Sequence, residues 1–153
     1  TNFMTVLNKL PFFPLYYSGK TKFMPIHCTD LIDIIFYVMT KKIHSQIIEC
    51  VGPEIISLEQ ILKKLLKLID KKRILIPLPL FFANLSAQFF QLMPKPLITQ
   101  DQLRLLKYDN ILSKKHKSNI DLNLNCPSKF LNEVNKYSYM WKDAGEYSKK
   151  EVN

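Results

Sequence analysis

The chain has 153 residues, 47% of them apolar and 23% charged, which is enough to bury the core of one domain and too apolar for a disordered or fibrous protein. Lysine and arginine number 22 against 13 aspartates and glutamates, a net charge of +9 that would suit an anionic partner. No run approaches the roughly eighteen unbroken apolar residues of a membrane-crossing helix, and no basic stretch leads into an apolar export signal, so the sequence reads as cytoplasmic.

Phe3, Met4, Val6 and Leu7 stand in helical spacing, which predicts a short helix over Asn2 to Leu10 that stops at Pro11. Because the chain starts on this helix at Thr1 rather than at a methionine, it reads as a portion of something longer. Pro11, Pro14 and Gly19 predict an irregular connection. Phe23 to His27 follows as a short strand. Thr29 or Asp30 is then expected to cap a helix to Lys42, with Leu31, Ile34, Ile35, Val38 and Met39 forming one broad buried face.

Gln46 to Val51 is a nearly continuous apolar run closed by Gly52 and Pro53, the pattern of a strand covered on both faces in a parallel sheet. Such a strand needs neighbours. Ser57 and Gln60 spell a capping box, from which Leu58, Ile61, Leu62, Leu65, Leu66 and Ile69 carry a helix to Asp70. Ile74 to Leu78 reads as strand or extended chain. Pro79 starts a helix over Leu80 to Met93 whose apolar side, including Phe81, Phe82, Phe89 and Phe90, is unusually broad; domain core, a quinone-like or isoprenoid ligand, or a membrane-surface contact would account for it. Pro94 and Pro96 end this helix, Thr99 caps another through Lys107, and Pro127 or Ser128 starts a last one near Phe130 to Tyr137. This organisation predicts one domain over residues 1–137 and a loose tail over 138–153.

Cys28, Cys50 and Cys126 form no C-x-x-C pair, and His27, His44 and His116 form no ligand-spaced pair, so neither a disulfide framework nor a metal site is indicated. The basic excess is concentrated in Lys63 to Arg73 and Lys114 to Lys117, where a solvated helix face is the simplest reading. No aromatic-interleaved basic ribbon or recognition helix points to nucleic acid.

The passage Phe23-Met24-Pro25-Ile26-His27-Cys28-Thr29-Asp30-Leu31 resembles the strand-to-helix passage of the extended short-chain dehydrogenase/reductases, and Ile48-Glu49-Cys50-Val51-Gly52-Pro53-Glu54 is similar to their glycine-proline turn. Val51 stands where that family often carries a second glycine. Ile76-Pro77-Leu78-Pro79 and the stretch Pro96 to Asn110 are similar to the branch that includes the Rossmann-type accessory subunit of respiratory complex I and its bacterial relatives.

The resemblance, over about Phe23 to Phe130, implies an α/β fold: the mostly helical carboxy-terminal part of an NAD(P)-binding, Rossmann-like protein with about three short strands. In that family a glycine-rich turn in the amino-terminal half holds the nucleotide, whereas this chain has only Gly19, Gly52 and Gly145, none in that pattern. The resemblance therefore implies that NAD(P)(H) belongs to the parent protein and is not bound by this portion alone. It also implies partnership with a missing Rossmann half or a second copy, with respiratory complex I subunits and peripheral contact with the inner face of the cytoplasmic membrane as further candidates. A non-catalytic scaffold of a respiratory complex and a sugar-nucleotide epimerase or dehydratase are the alternatives.

The family's Tyr-x-x-x-Lys pair is matched in spelling by Tyr16 with Lys20 and by Tyr37 with Lys41, but neither stands in the family's position, and no catalytic residue is assigned. The substrate-cleft candidates are Lys22, His27 and Arg104. Lys22 could meet an anion, His27 ends the predicted strand, and Arg104 carries a guanidinium suited to a carboxylate or phosphate. Each has a plain structural alternative: a solvated lysine, a hydrogen-bonded histidine, and a pair between Arg104 and Asp101 or Asp109. Asp30 reads as a cap.

Overall fold

The structure, a computed structural model, describes residues 2–78 and 100–148. It is mixed α/β. In chain order the elements are α1 (Asn2–Lys9), β1 (Phe12–Tyr16), β2 (Lys22–Phe23), α2 (Cys28–Thr40), β3 (Ile48–Glu49), β4 (Ile56–Ser57), α3 (Leu58–Leu68), β5 (Ile74–Leu78), α4 (Gln100–Leu105), β6 (Lys117–Ser118) and α5 (Phe130–Asn135). The expected helix over Leu80 to Met93, with Pro94, Pro96 and the Thr99 cap, lies outside the described residues. Among the described residues no helix is long and apolar enough to cross a membrane.

The chain divides into two compact units, one of Thr1–Thr21, Ser57–Asp109 and Tyr137–Asn153, the other of Lys22–Ile56 and Asn110–Lys136. In the first, α3 starts as its sequence dictates. The Ser57 hydroxyl accepts the Gln60 N–H at 3.2 Å while the Gln60 side-chain oxygen accepts the Ser57 N–H at 2.9 Å. Leu58, Ile61, Leu62, Leu65, Leu66 and Ile69 are all buried, as their spacing predicts, and α1 packs against α3 with Met4 and Leu7 buried. Arg73 donates from Nε to the Leu7 carbonyl at 3.0 Å and from its terminal nitrogen to that of Asn8 at 2.9 Å. A guanidinium thus satisfies carbonyls that the end of α1 leaves unpaired.

β1 and β5 pair in parallel, Phe12 opposite Ile74 and Tyr16 opposite Leu78. The expected irregular connection is thus a strand through Pro14. Among the described residues each strand of this pair has one open edge, where a proline's missing N–H removes no ladder bond. The reversal comes afterwards: Tyr17, Ser18 and Gly19 have φ of 51°, 54° and 67°, and a Cβ at Gly19 would lie 2.8 Å from that of Glu59.

The expected tail also differs. Residues 138–148 form two 3-10 turns, and Trp141, 2% exposed, donates its indole N–H to the Thr5 hydroxyl at 3.0 Å while stacking on Tyr147 with centroids 4.8 Å apart. Lys71 pairs with Asp143, and Lys142 with Asp70 at 3.2 Å. A large aromatic side chain with a polar handle anchors the segment.

In the second unit, the expected Phe23–His27 strand is shorter, with regular pairing only at Lys22–Phe23 and a parallel bridge from Phe23 to Asn110. Gln46–Val51 likewise contributes only β3, which runs parallel to β6 with Ile48 opposite Lys117, and Ile47 beside it is 63% exposed. The expected cover on both faces is not supplied by the described residues. β6 sits in a polar, lysine-rich stretch with no strand periodicity, so nothing in the sequence announces it.

Candidate functional site

The residues around the start of α2 bring together a histidine, a thiol, hydroxyls and carboxylates of the second unit. His27 has extended backbone angles and occupies the N-cap position, with its Nδ1 accepting the Thr29 N–H at 3.4 Å and lying 2.7 Å from the Thr29 hydroxyl. Thr29 and Asp30, the expected caps, are therefore already helical. The histidine can replace them because Nδ1 stands as far along its side chain as the capping oxygen of an Asp or Asn. Its Nε2 lies 3.7 Å from a Glu133 carboxylate oxygen and 3.9 Å from the Cys28 sulfur.

The ring is thus held between Thr29 on one side and Glu133 on the other, and Glu133 is also held by Lys136 at 2.6 Å. Asp30 accepts the Ser128 N–H at 3.2 Å and hydroxyl at 2.9 Å, and Glu54 accepts the Phe130 N–H at 3.1 Å. Two carboxylates thus receive the start of α5, where free N–H groups favour negative charge. Glu54 carries no motif signal, because its partner Phe130 lies 76 residues away, and the contact of Glu133 with His27 is at least as distant in sequence.

The structure brings His27 to Glu133 and Arg104 to Asp101, at 3.3 Å between two highly exposed side chains. Lys22 is exposed, and its carbonyl accepts the Asn110 N–H at 2.7 Å. Lys22 and His27 belong to the second unit and Arg104 to the first. Of the Tyr-x-x-x-Lys spellings, Lys41 places its ammonium 5.9 Å over the face of the Tyr37 ring. Tyr16 ends β1 with its hydroxyl buried and without a hydrogen-bond partner among the described residues, while Lys20 follows the left-handed turn and is exposed.

The glycine-proline turn is positioned by close packing. A Cβ on Gly52 would fall 1.8 Å from the Pro25 carbonyl oxygen, so only glycine lets these backbones meet. Before it, Asn119, 1% exposed, accepts the Val51 N–H at 2.9 Å and donates to the Val51 and Leu124 carbonyls at 3.2 Å. Burial pushes the thiols of Cys50 and Cys126 up, with the charge of Asp30 adding to the effect at Cys126. Both are thereby held as neutral, weakly reactive thiols.

The face of α2 is where the sequence reading and the structure part most sharply. Only Asp30 and Ile34 are buried in this helix, whereas Ile32, Ile35, Phe36 and Met39 are 60%, 49%, 71% and 72% exposed. Their spacing of three, one and three residues makes one continuous apolar stripe. Ile47 and Ile55 of the same unit are more than half exposed as well. Contiguous apolar surface of this kind is the usual mark of an interaction site. No family model matches the sequence, and a search of curated proteins finds none similar to it.

Proposed function

We propose that this chain is the substrate- or partner-side portion of a protein built like the extended short-chain dehydrogenase/reductases, with NAD(P)(H) held by a Rossmann half from other polypeptide or a second copy. The parent is an oxidoreductase-like protein related to the complex I accessory subunit. This portion shapes the surface opposite the cofactor and carries no hydride-transfer machinery of its own.

The observation that carries the reading is the exposed stripe Ile32, Ile35, Phe36 and Met39 on α2, reinforced by β3, which among the described residues has only β6 beside it. In a doubly wound fold helices lie against a sheet. Burying one side chain of this size is worth about 1.5–3 kcal/mol, so the stripe is a strong incentive for association. Titration of the intact parent with NADPH, followed by nicotinamide fluorescence, should saturate. Ile35→Asp with Phe36→Asp should lower its melting temperature by several degrees. Absence of NADPH binding removes the cofactor assignment, and an unchanged melting temperature removes the docked face. Copurification with complex I subunits but without any NADPH binding would favour the scaffold reading instead.

A further inference from the structure

α3 and the segment leading into β5 line a shallow hollow of about 540 Å³ in the first unit. Its lining includes Lys63, Lys67, Lys71, Lys72 and Arg73, five cations, over an apolar floor of Leu66 and Leu75. Glu59, the one carboxylate of the lining, pairs with Lys63 at 2.7 Å, and Asp143 reaches Lys71 from outside it. Arg73 is anchored by the carbonyls at the end of α1, which fixes its charge in the wall. Lys67 and Lys72 are exposed and meet no carboxylate among the described residues.

A helix face that merely keeps the protein wet does not require this arrangement. The carboxy-terminal end of α3 contributes roughly half a negative charge. Together with Glu59 and Asp143 it offsets only about half of the five positive charges, and the remainder centres on Lys67 and Lys72. A low-dielectric floor beneath like charges focuses their field on one spot. We propose that this hollow is a binding site for an anion bearing two or more phosphate groups. One phosphate would engage one exposed ammonium, an interaction that salt screens nearly away, whereas linked phosphates engage Lys67 and Lys72 together and displace the carboxylates from Lys63 and Lys71. The site is independent of the cofactor reading, because it requires neither a Rossmann half nor the α2 stripe.

The probes are inorganic tripolyphosphate and vesicles of phosphatidylcholine with or without phosphatidylinositol bisphosphate, applied to the intact protein at about 0.15 M salt. Tripolyphosphate should shift the amide resonances of residues 66–73 saturably. Lys67→Gln with Lys72→Gln should weaken binding at least ten-fold, while Lys9→Gln with Lys107→Gln, which removes the same charge elsewhere in the unit, should change it less than two-fold. Capture by the phosphoinositide vesicles alone, removed by the first pair only, assigns the phosphates to a lipid headgroup. Saturable binding of free tripolyphosphate without vesicle capture assigns them to a soluble ligand. Failure of both probes, or equal loss in the two double variants, overturns the proposal.

Discussion

Val51 stands two residues beyond Glu49, the last paired residue of β3, and one side chain serves its backbone as a strand would. The Asn119 amide answers both the N–H and the carbonyl of Val51, and its remaining proton reaches the Leu124 carbonyl. Asn119→Ala should therefore leave two buried backbone groups and one part-buried group unpaired and cost about 3 kcal/mol, read as a shift in the urea midpoint. A loss under about 1 kcal/mol would show that water replaces the amide without penalty. Nothing in the sequence marks this asparagine, which lies in a polar stretch 68 residues from its partner. His27 was more legible, since its place before a helical apolar pattern announced a junction. Its carboxylate partner, Glu133, could come only from the fold.

Elements with strong local signals were the readable ones. α3 follows from a capping box and six apolar positions in register, and all six are buried. α2 has as good a pattern, but the pattern states only that a face seeks cover, not which polypeptide provides it. The β3–β6 pair was half legible because two-residue strands carry almost no periodicity. Its loop is held by Glu49, whose carboxylate accepts the Ser113 hydroxyl and, at 2.8 Å, the Ser113 N–H. These bonds, the hydroxyl first, hold Glu49 below its ordinary value of 4.5. Since they favour the charged form, the restraint is complete above 4.5 and disappears as pH falls through the lowered folded value. The Ser113 amide resonance should move with a midpoint below 4.5, and Glu49→Gln should abolish that transition. A midpoint at or above 4.5 would separate the loop from this carboxylate.

At the scale of the molecule, the mixed α/β class was legible from the alternation of helix and strand signals. The division into two units was not, because each is assembled from segments distant in sequence. Trp141 shows why the carboxy-terminal stretch misreads as a tail. Around it lie too few apolar residues to form a helix of their own, yet it is packed beside Thr5 and Tyr147. Trp141→Ala should destabilise the protein by about 3–5 kcal/mol, while Trp141→Phe, which keeps a ring and loses the indole donor, should cost less. Equal costs would assign the anchor to the hydrogen bond rather than to the ring.

The bond between Thr5 and Trp141 spans 136 positions. A ribosome adding about 5–20 residues per second needs on the order of ten seconds to cover that span. Throughout that interval α1 has emerged while the indole that will cover it has not been translated. α3 arrives part-way through and can cover Met4 and Leu7, but the side of α1 that meets Trp141 stays bare until the end, so nascent chains arrested before residue 141 should be easier targets for chaperones and proteases than longer ones.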